Sequence, residues 1–295
     1  MQKNREICKL RINEHKLSGG DPVSIYKSLL TYASQHALSD HANMNAVIFS
    51  DCLVNLLQAS RDKNAGNWDE KLIEYGIDYF CTIPIEPIDT TPLKPSRKEA
   101  KVASIADLEE SFDQNDINVV MESVRDLLTL MDNKRYFMEI TFRIALKKNP
   151  HCLILASAIS RAIEIMGWQN NFTPFLIYHL IVRLHNEKTT FSFSKRDTET
   201  TNVFEQCLGK VRSIGDLLFL AASFRTYHES KILAAQLLPM IRMRLNEYFG
   251  SKRDADHVIE NKQSTMDSIV RDSCFLDLSS VKGIEALRSK NPFAV

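Results

Sequence analysis

Three of the eight histidines, His151, His179 and His228, lie in the most apolar third of the chain, and they are the side chains best placed by type to do chemistry. An imidazole changes charge near neutral pH, carries protons and ligates metals, so three of them around one apolar pocket would suit an oxidoreductase or a small-molecule site. His151 also has a thiol beside it, in the run "NPHC" at 149–152. Asn149 is a good N-cap and Pro150 suits the first helical position. Together they place His151 and Cys152 in a first turn, among unpaired N–H groups at the positive end of the helix dipole. There an exposed Cys152 would have a lowered pKa, and His151 would stay neutral. Adjacent helical residues point roughly 100° apart, so these two cannot chelate one ion unaided. The pattern favours a structural role, as the opening of a buried helix "NPHCLILASAISRAIEIMGW" at 149–168. His179, within "FLIYHLIV", reads as a core or pocket histidine whose pKa burial would shift.

The other candidates are weaker. No HExxH or ExxH is present, and the nearest pattern, Asp254 with His257 in "DADH", sits in a polar stretch that reads as a solvated turn. His15, His36, His41 and His185 belong to no motif, although His36 and His41 could meet across a turn. Gly19–Gly20 and Gly209–Lys210 lack the rest of a phosphate-binding loop, and no GxSxG occurs. Glu109 with Glu110, and Asp254 with Asp256, fall in charged segments and read as solvated faces. Trp68, Trp168, Phe172, Phe175, Tyr178, Phe219, Phe224 and Tyr227 are spaced to line an apolar pocket or, more simply, to fill a core. No metal site is expected, and no cofactor is specified.

The elements that must position these residues are helices. Apolar residues recur three and four apart, and few runs alternate as strands do. "DPVSIYKSLLTYASQHA" (21–37) and "HANMNAVIFSDCLVNLLQAS" (41–60) form a predicted antiparallel pair, followed by a helix around "WDEKLIEYGIDYF" (68–80). Pro84, Pro87, Pro92 and Pro95 then preclude a helix interior. The expected organisation is an N-terminal helical segment at 1–82, a Pro-rich connector at 83–103, a main helical domain at 104–250, and short, partly mobile C-terminal helices at 251–295. In the main domain Ser104 with Asp107 suggests a capping box, and Thr173–Pro174 suggests a cap followed by a first-turn proline. The polar stretch 186–202 reads as a loop. The fold class is all-α: consecutive antiparallel helix pairs forming an αα-array or a compact multi-helix domain. Helix pairs recur about every 35–40 residues, as in tetratricopeptide or HEAT-like arrays, without the signature residues of those repeats.

Lys plus Arg equals Asp plus Glu at 37 each, so no overall field holds a polyanion, and no nucleic-acid partner is expected. The basic stretches at 3–16 and 94–101 lack interleaved aromatic residues and read as a solvated tail and linker. Six cysteines scattered without CxxC, and no run long enough to span a membrane, suggest buried free thiols and a cytoplasmic location.

"HCLILASAISRAIEIMGW" followed by "FLIYHLIVRL" resembles the helix pair with an H-x-L-I start in questin oxidase-like proteins, and "DLLFLAASFRTYHESKILAAQLL" resembles a later helix of that family. The resemblance covers about residues 149–250. It implies an all-helical protein with histidines around a hydrophobic pocket and oxidoreductase activity on an aromatic substrate. The family's other histidine blocks have no clear counterpart before residue 149. Two functional readings follow. In the first, the chain is a helical scaffold or binding protein presenting a groove to a protein partner. In the second, it is an oxidoreductase or binder of a small apolar or aromatic ligand, with a His-lined pocket between helices.

Overall fold

The computed structural model describes residues 2–21, 24, 25, 27, 28, 31, 41–63, 70–82, 104–114, 116–193, 203–250, 252 and 265–280. Among them are twelve helices and no strand: α1 (Gln2–Leu17), α2 (His41–Lys63), α3 (Glu70–Thr82), α4 (Ile105–Ser111), α5 (Ile117–Leu130), α6 (Lys134–Leu146), α7 (Pro150–Met166), α8 (Thr173–Asn186), α9 (Val203–Leu208), α10 (Ile214–Glu229), α11 (Ala234–Gly250) and α12 (Thr265–Ser280). Of the helix expected at 21–37, Asp21 is described and not helical, Ser24, Ile25, Lys27, Ser28 and Thr31 are helical, and the rest lies outside the described residues. So do the Pro-rich connector, Trp68, His36, His257, Asp254 and Asp256. No helix among the described residues is long and apolar enough to cross a membrane.

The helix that opens with "NPHC" is the axis of the molecule. Asn149 caps α7, its side chain accepting from Cys152 N, and Pro150 takes the first turn as expected. Twelve residues of α7 are buried, on every side of the helix. A helix apolar all round must be enclosed, and α2, α6, α8 and α10 pack against it. One apolar core extends from Ala46 in α2 to Leu278 in α12. Helices from 1–82, 104–250 and 251–295 therefore share a single core. The contacts are also not those of a linear array, in which each pair touches only its neighbours. The late helix α12 lies against the early α2 and against α10, and α11 packs on α6.

Local signals set most helix ends. Ser104 and Asp107 form the expected capping box, and Asp116 and Asn133 cap α5 and α6. At α8 the expectation fails. Phe172 holds the cap position without a side-chain bond, and the Thr173 hydroxyl instead donates to Gly167 O at 2.8 Å, tying down the turn that leaves α7. Gly167 makes that turn with φ at +92°, a backbone conformation that glycine adopts without a steric penalty. At the turn between α10 and α11 Glu139, 1% exposed, accepts from the backbone N–H groups of Lys231, Ile232 and Leu233, so a buried carboxylate satisfies the otherwise orphaned donors before α11.

Candidate functional site

The three candidate histidines sit on three different helices and do not share a centre. His151 lies in the first turn of α7. His228 is next to the last residue of α10, and Arg135 fixes where that end lies, donating to Glu229 O at 2.6 Å while its guanidinium stands 3.9 Å from the Glu164 carboxylate. Glu164 is near the far end of α7, about 20 Å of helix from His151 at ~1.5 Å per residue. His179 is buried in α8, and its Nε2 has no hydrogen-bond partner among the described residues. Burial pushes its pKa down to about 4, so the ring is neutral at ordinary pH. His228, against the Phe224 and Tyr227 rings, is lowered by the same cause. Cys152 is sealed, and burial pushes its thiol up to about 12. The activated thiol that an exposed first turn would create is therefore absent, because α8 and the other neighbours of α7 cover that turn. Among the described residues, no group of three or more His, Cys, Asp or Glu side chains could hold a metal ion.

A different constellation of ionisable groups does converge. Asp51 from α2, Arg161 from α7, Arg225 from α10 and Asp277 from α12 form a buried ring of two cations and two anions. Arg225 donates to Asp51 Oδ2 at 3.0 Å and to Ser157 Oγ at 3.1 Å, and it pairs with Asp277. Arg161 stands 3.1 Å from both Asp51 and Asp277 and donates to Asn55 Oδ1 at 3.0 Å. Asn55 in turn donates to Asp277 and to Ser273. Arg225 is 8% exposed; the two carboxylates hold its guanidinium above the usual arginine range despite burial. The ring is charge-balanced, so it can sit in the core. With every acid paired to a base inside it, it acts as a clasp joining four helices.

The signal for this ring was present in the sequence: single charges in otherwise apolar helical runs, as in "FSDCLV", "SAISRAI", "SFRTYH" and "CFLDLSS". Each falls on its helix's buried face. A lone charge on that face needs a countercharge, although which countercharge it meets is a matter of tertiary packing.

A recess of about 160 Å³ lies between α5, the start of α6 and the start of α8. Met121, Val124 and Leu128 from α5, Ile177 and Pro174 from α8, and Trp168 from the Gly167 turn supply its apolar walls. Arg125 and Lys134 supply two cations. Neither is ion-paired with a described residue, and the Arg125 Nε is buried without an acceptor. A space of this size holds one benzene-sized ring, well short of the ~300–1,000 Å³ that encloses a larger cofactor. Of the aromatic residues singled out in the sequence, Trp168 alone among the described ones lines it, and none of the three histidines does. On α8 the lining residues Thr173 and Ile177 are a turn apart, whereas His179 lies two residues on and faces the other way.

A second hollow, about 230 Å³, lies between α1 and α3. Its floor is Ile12, Ile73 and Ile77, and its rim is charged, with Lys9 paired to Glu74 and Lys16 to Glu70. No protein-family model, no curated protein and no solved structure matches the chain.

Proposed function

We propose that the protein binds a small apolar molecule carrying a carboxylate, of the size of benzoate, in the recess between α5 and α8. One observation carries this reading: two cations without a described acid partner face an apolar space with room for a single ring. The buried Arg125 Nε–H that lacks an acceptor is unfavourable, and a ligand carboxylate would satisfy it. Trp168 and Leu128 would flank the ring.

Titrating benzoate against the protein while following Trp168 fluorescence, in a Trp68→Phe background, tests this. Saturable quenching is expected. Arg125→Gln should weaken binding about tenfold or more, since a hydrogen bond to a charged group contributes roughly 1.5–3 kcal/mol. Toluene, of similar shape without the charge, should bind more weakly than benzoate. Absence of saturable binding by either compound would reject the reading.

The scaffold reading is favoured by a different observation. Ile7, Leu10 and Leu17 of α1 are 42%, 61% and 87% exposed, and at helical spacing they share one face of α1, an apolar row that would suit an amphipathic partner helix. Copurification of one stoichiometric partner that is lost on Leu10→Asp supports it; unchanged capture by that variant excludes α1 as the surface.

A further inference from the structure

The recess between α5, α6 and α8 holds more positive charge than one carboxylate balances. Among the described residues every charged side chain that lines it is a cation, Arg125 from α5 and Lys134 from α6, although the chain as a whole is neutral. The acids beside them in sequence, Glu122 and Asp126 on α5 and Asp132 before α6, do not line it. Two helices also begin at its wall. Lys134 is the first residue of α6, and Thr173 and Pro174 are the first two of α8, so the positive ends of two helix dipoles border the same space.

The dimensions tie both cations to one ligand. A space of about 160 Å³ takes a single ring, so Arg125 and Lys134 border the volume that one ring fills. A benzoate that accepts from the buried Arg125 Nε–H leaves the Lys134 ammonium without a countercharge in the recess. Lys134 is half-buried and shares the lining with Met121, Val124, Leu128 and Trp168. Beside such a wall the local dielectric is lower and salt screens less, so a second anion is worth more to this ammonium than to one in open water.

We infer that the ligand of this recess carries two acid groups on one ring, as a benzenedicarboxylate does, with one carboxylate on Arg125 and the second on Lys134. The inference rests on the reading of the recess as a carboxylate site and adds the residue that sets its specificity. Arg125 holds the first carboxylate whatever else the ring bears, and its planar fork suits that group. Lys134 distinguishes a diacid from a monoacid. Its ammonium is a point charge on a flexible stem, so it can follow the second carboxylate to its place on the ring. The two ligand charges then balance the two cations, and the rest of the ring lies against the apolar walls.

Isothermal titration calorimetry of the full chain with benzoate, with phthalate, isophthalate and terephthalate, and with the monomethyl ester of each diacid tests this at neutral pH, where the carboxyls are ionised. At least one diacid should bind about tenfold tighter than benzoate or more, and its affinity should fall more steeply with added salt. Its monomethyl ester, which keeps the ring and loses one charge, should return to the benzoate level. Lys134→Gln should remove the diacid's advantage while leaving benzoate affinity and the circular dichroism spectrum unchanged. Benzoate that saturates while no diacid exceeds it, or a half-ester as tight as its diacid, overturns the inference and leaves the carboxylate reading standing. A diacid that keeps its advantage in Lys134→Gln overturns the role given to Lys134. If none of the compounds binds saturably, the carboxylate reading falls and the inference falls with it.

Discussion

Glu229 and His179 are held by burial in opposite senses, and the stability of the protein should record both. Burial pushes the Glu229 carboxyl up to about 7, with Glu164 adding to the shift and Arg225, Arg161 and Arg135 opposing it. The folded state therefore favours its protonated form. The stability this contributes is complete below its ordinary value of 4.5 and is lost as pH rises through about 7. Glu229→Gln should remove that loss. In urea titrations the variant should gain on the order of 2 kcal/mol over wild type at pH 8 and almost nothing at pH 4. His179 works the other way. Its folded pKa of about 4 lies below the ordinary 6.5, so its contribution is complete above 6.5 and is lost as pH falls through 4. Because its Nε2 has no described partner, His179→Leu should leave stability at pH 7 equal or higher and make the acid limb shallower. A marked loss at pH 7 would mean that the imidazole has a structural bond. The isolation of His179 in a run such as "FLIYHLIV" was legible from sequence as burial. Whether it met a second imidazole was not, because that depends on how α7, α8 and α10 cross.

At the scale of elements, the boundaries were the most legible feature, since caps are local chemistry. Asn149–Pro150 and Ser104–Asp107 act as their types predict. Thr173 does not, because its hydroxyl satisfies the Gly167 carbonyl in a turn whose shape a positive φ decides, and that is not readable from a TP dipeptide. Gly167→Ala meets no steric neighbour, so its cost is conformational alone. A loss of about 1–3 kcal/mol in thermal unfolding is expected, along with weaker benzoate binding through displacement of Trp168. The charged ring makes the larger prediction. Removing one member of a buried pair leaves its partner uncompensated, at a cost of about 3–5 kcal/mol. Arg225→Met should therefore destabilise strongly. Since Asp277 is α12's link to the ring, limited proteolysis should cut first around α12. Adding Asp277→Asn to that variant leaves Arg161 balanced by Asp51 and should recover part of the loss, a pattern that simple loss of packing volume would not give.

For the molecule as a whole, helical content was readable from periodicity, whereas the long-range contacts that build one core from Ala46 to Leu278 were not. Prolines at 84–95 break the helical pattern and invite a domain boundary, since sequence shows interruption more readily than return. What closes the core is long-range. Asp51 and Asn55 on one side of the proline stretch meet Arg161 and Arg225 on the other, and α12 returns from the C-terminal side to complete the ring. The candidate recess, by contrast, is drawn wholly from 121–177, within the segment the sequence marked as the main domain, although its lining is spread across three helices and a turn. These facts set a test of where the folding unit ends. A fragment spanning 104–250 keeps every residue lining the recess but lacks α2 and α12, so it would expose the faces of α7 and α10 that they cover and leave Arg161 and Arg225 without their carboxylates. Such a fragment should be helical by far-UV circular dichroism yet show poor amide dispersion and no cooperative urea transition, whereas the full chain should unfold in one step. A cooperative, well-dispersed 104–250 would show instead that the apolar packing around α7 suffices and that the ring only fastens α2 and α12 to a core already formed.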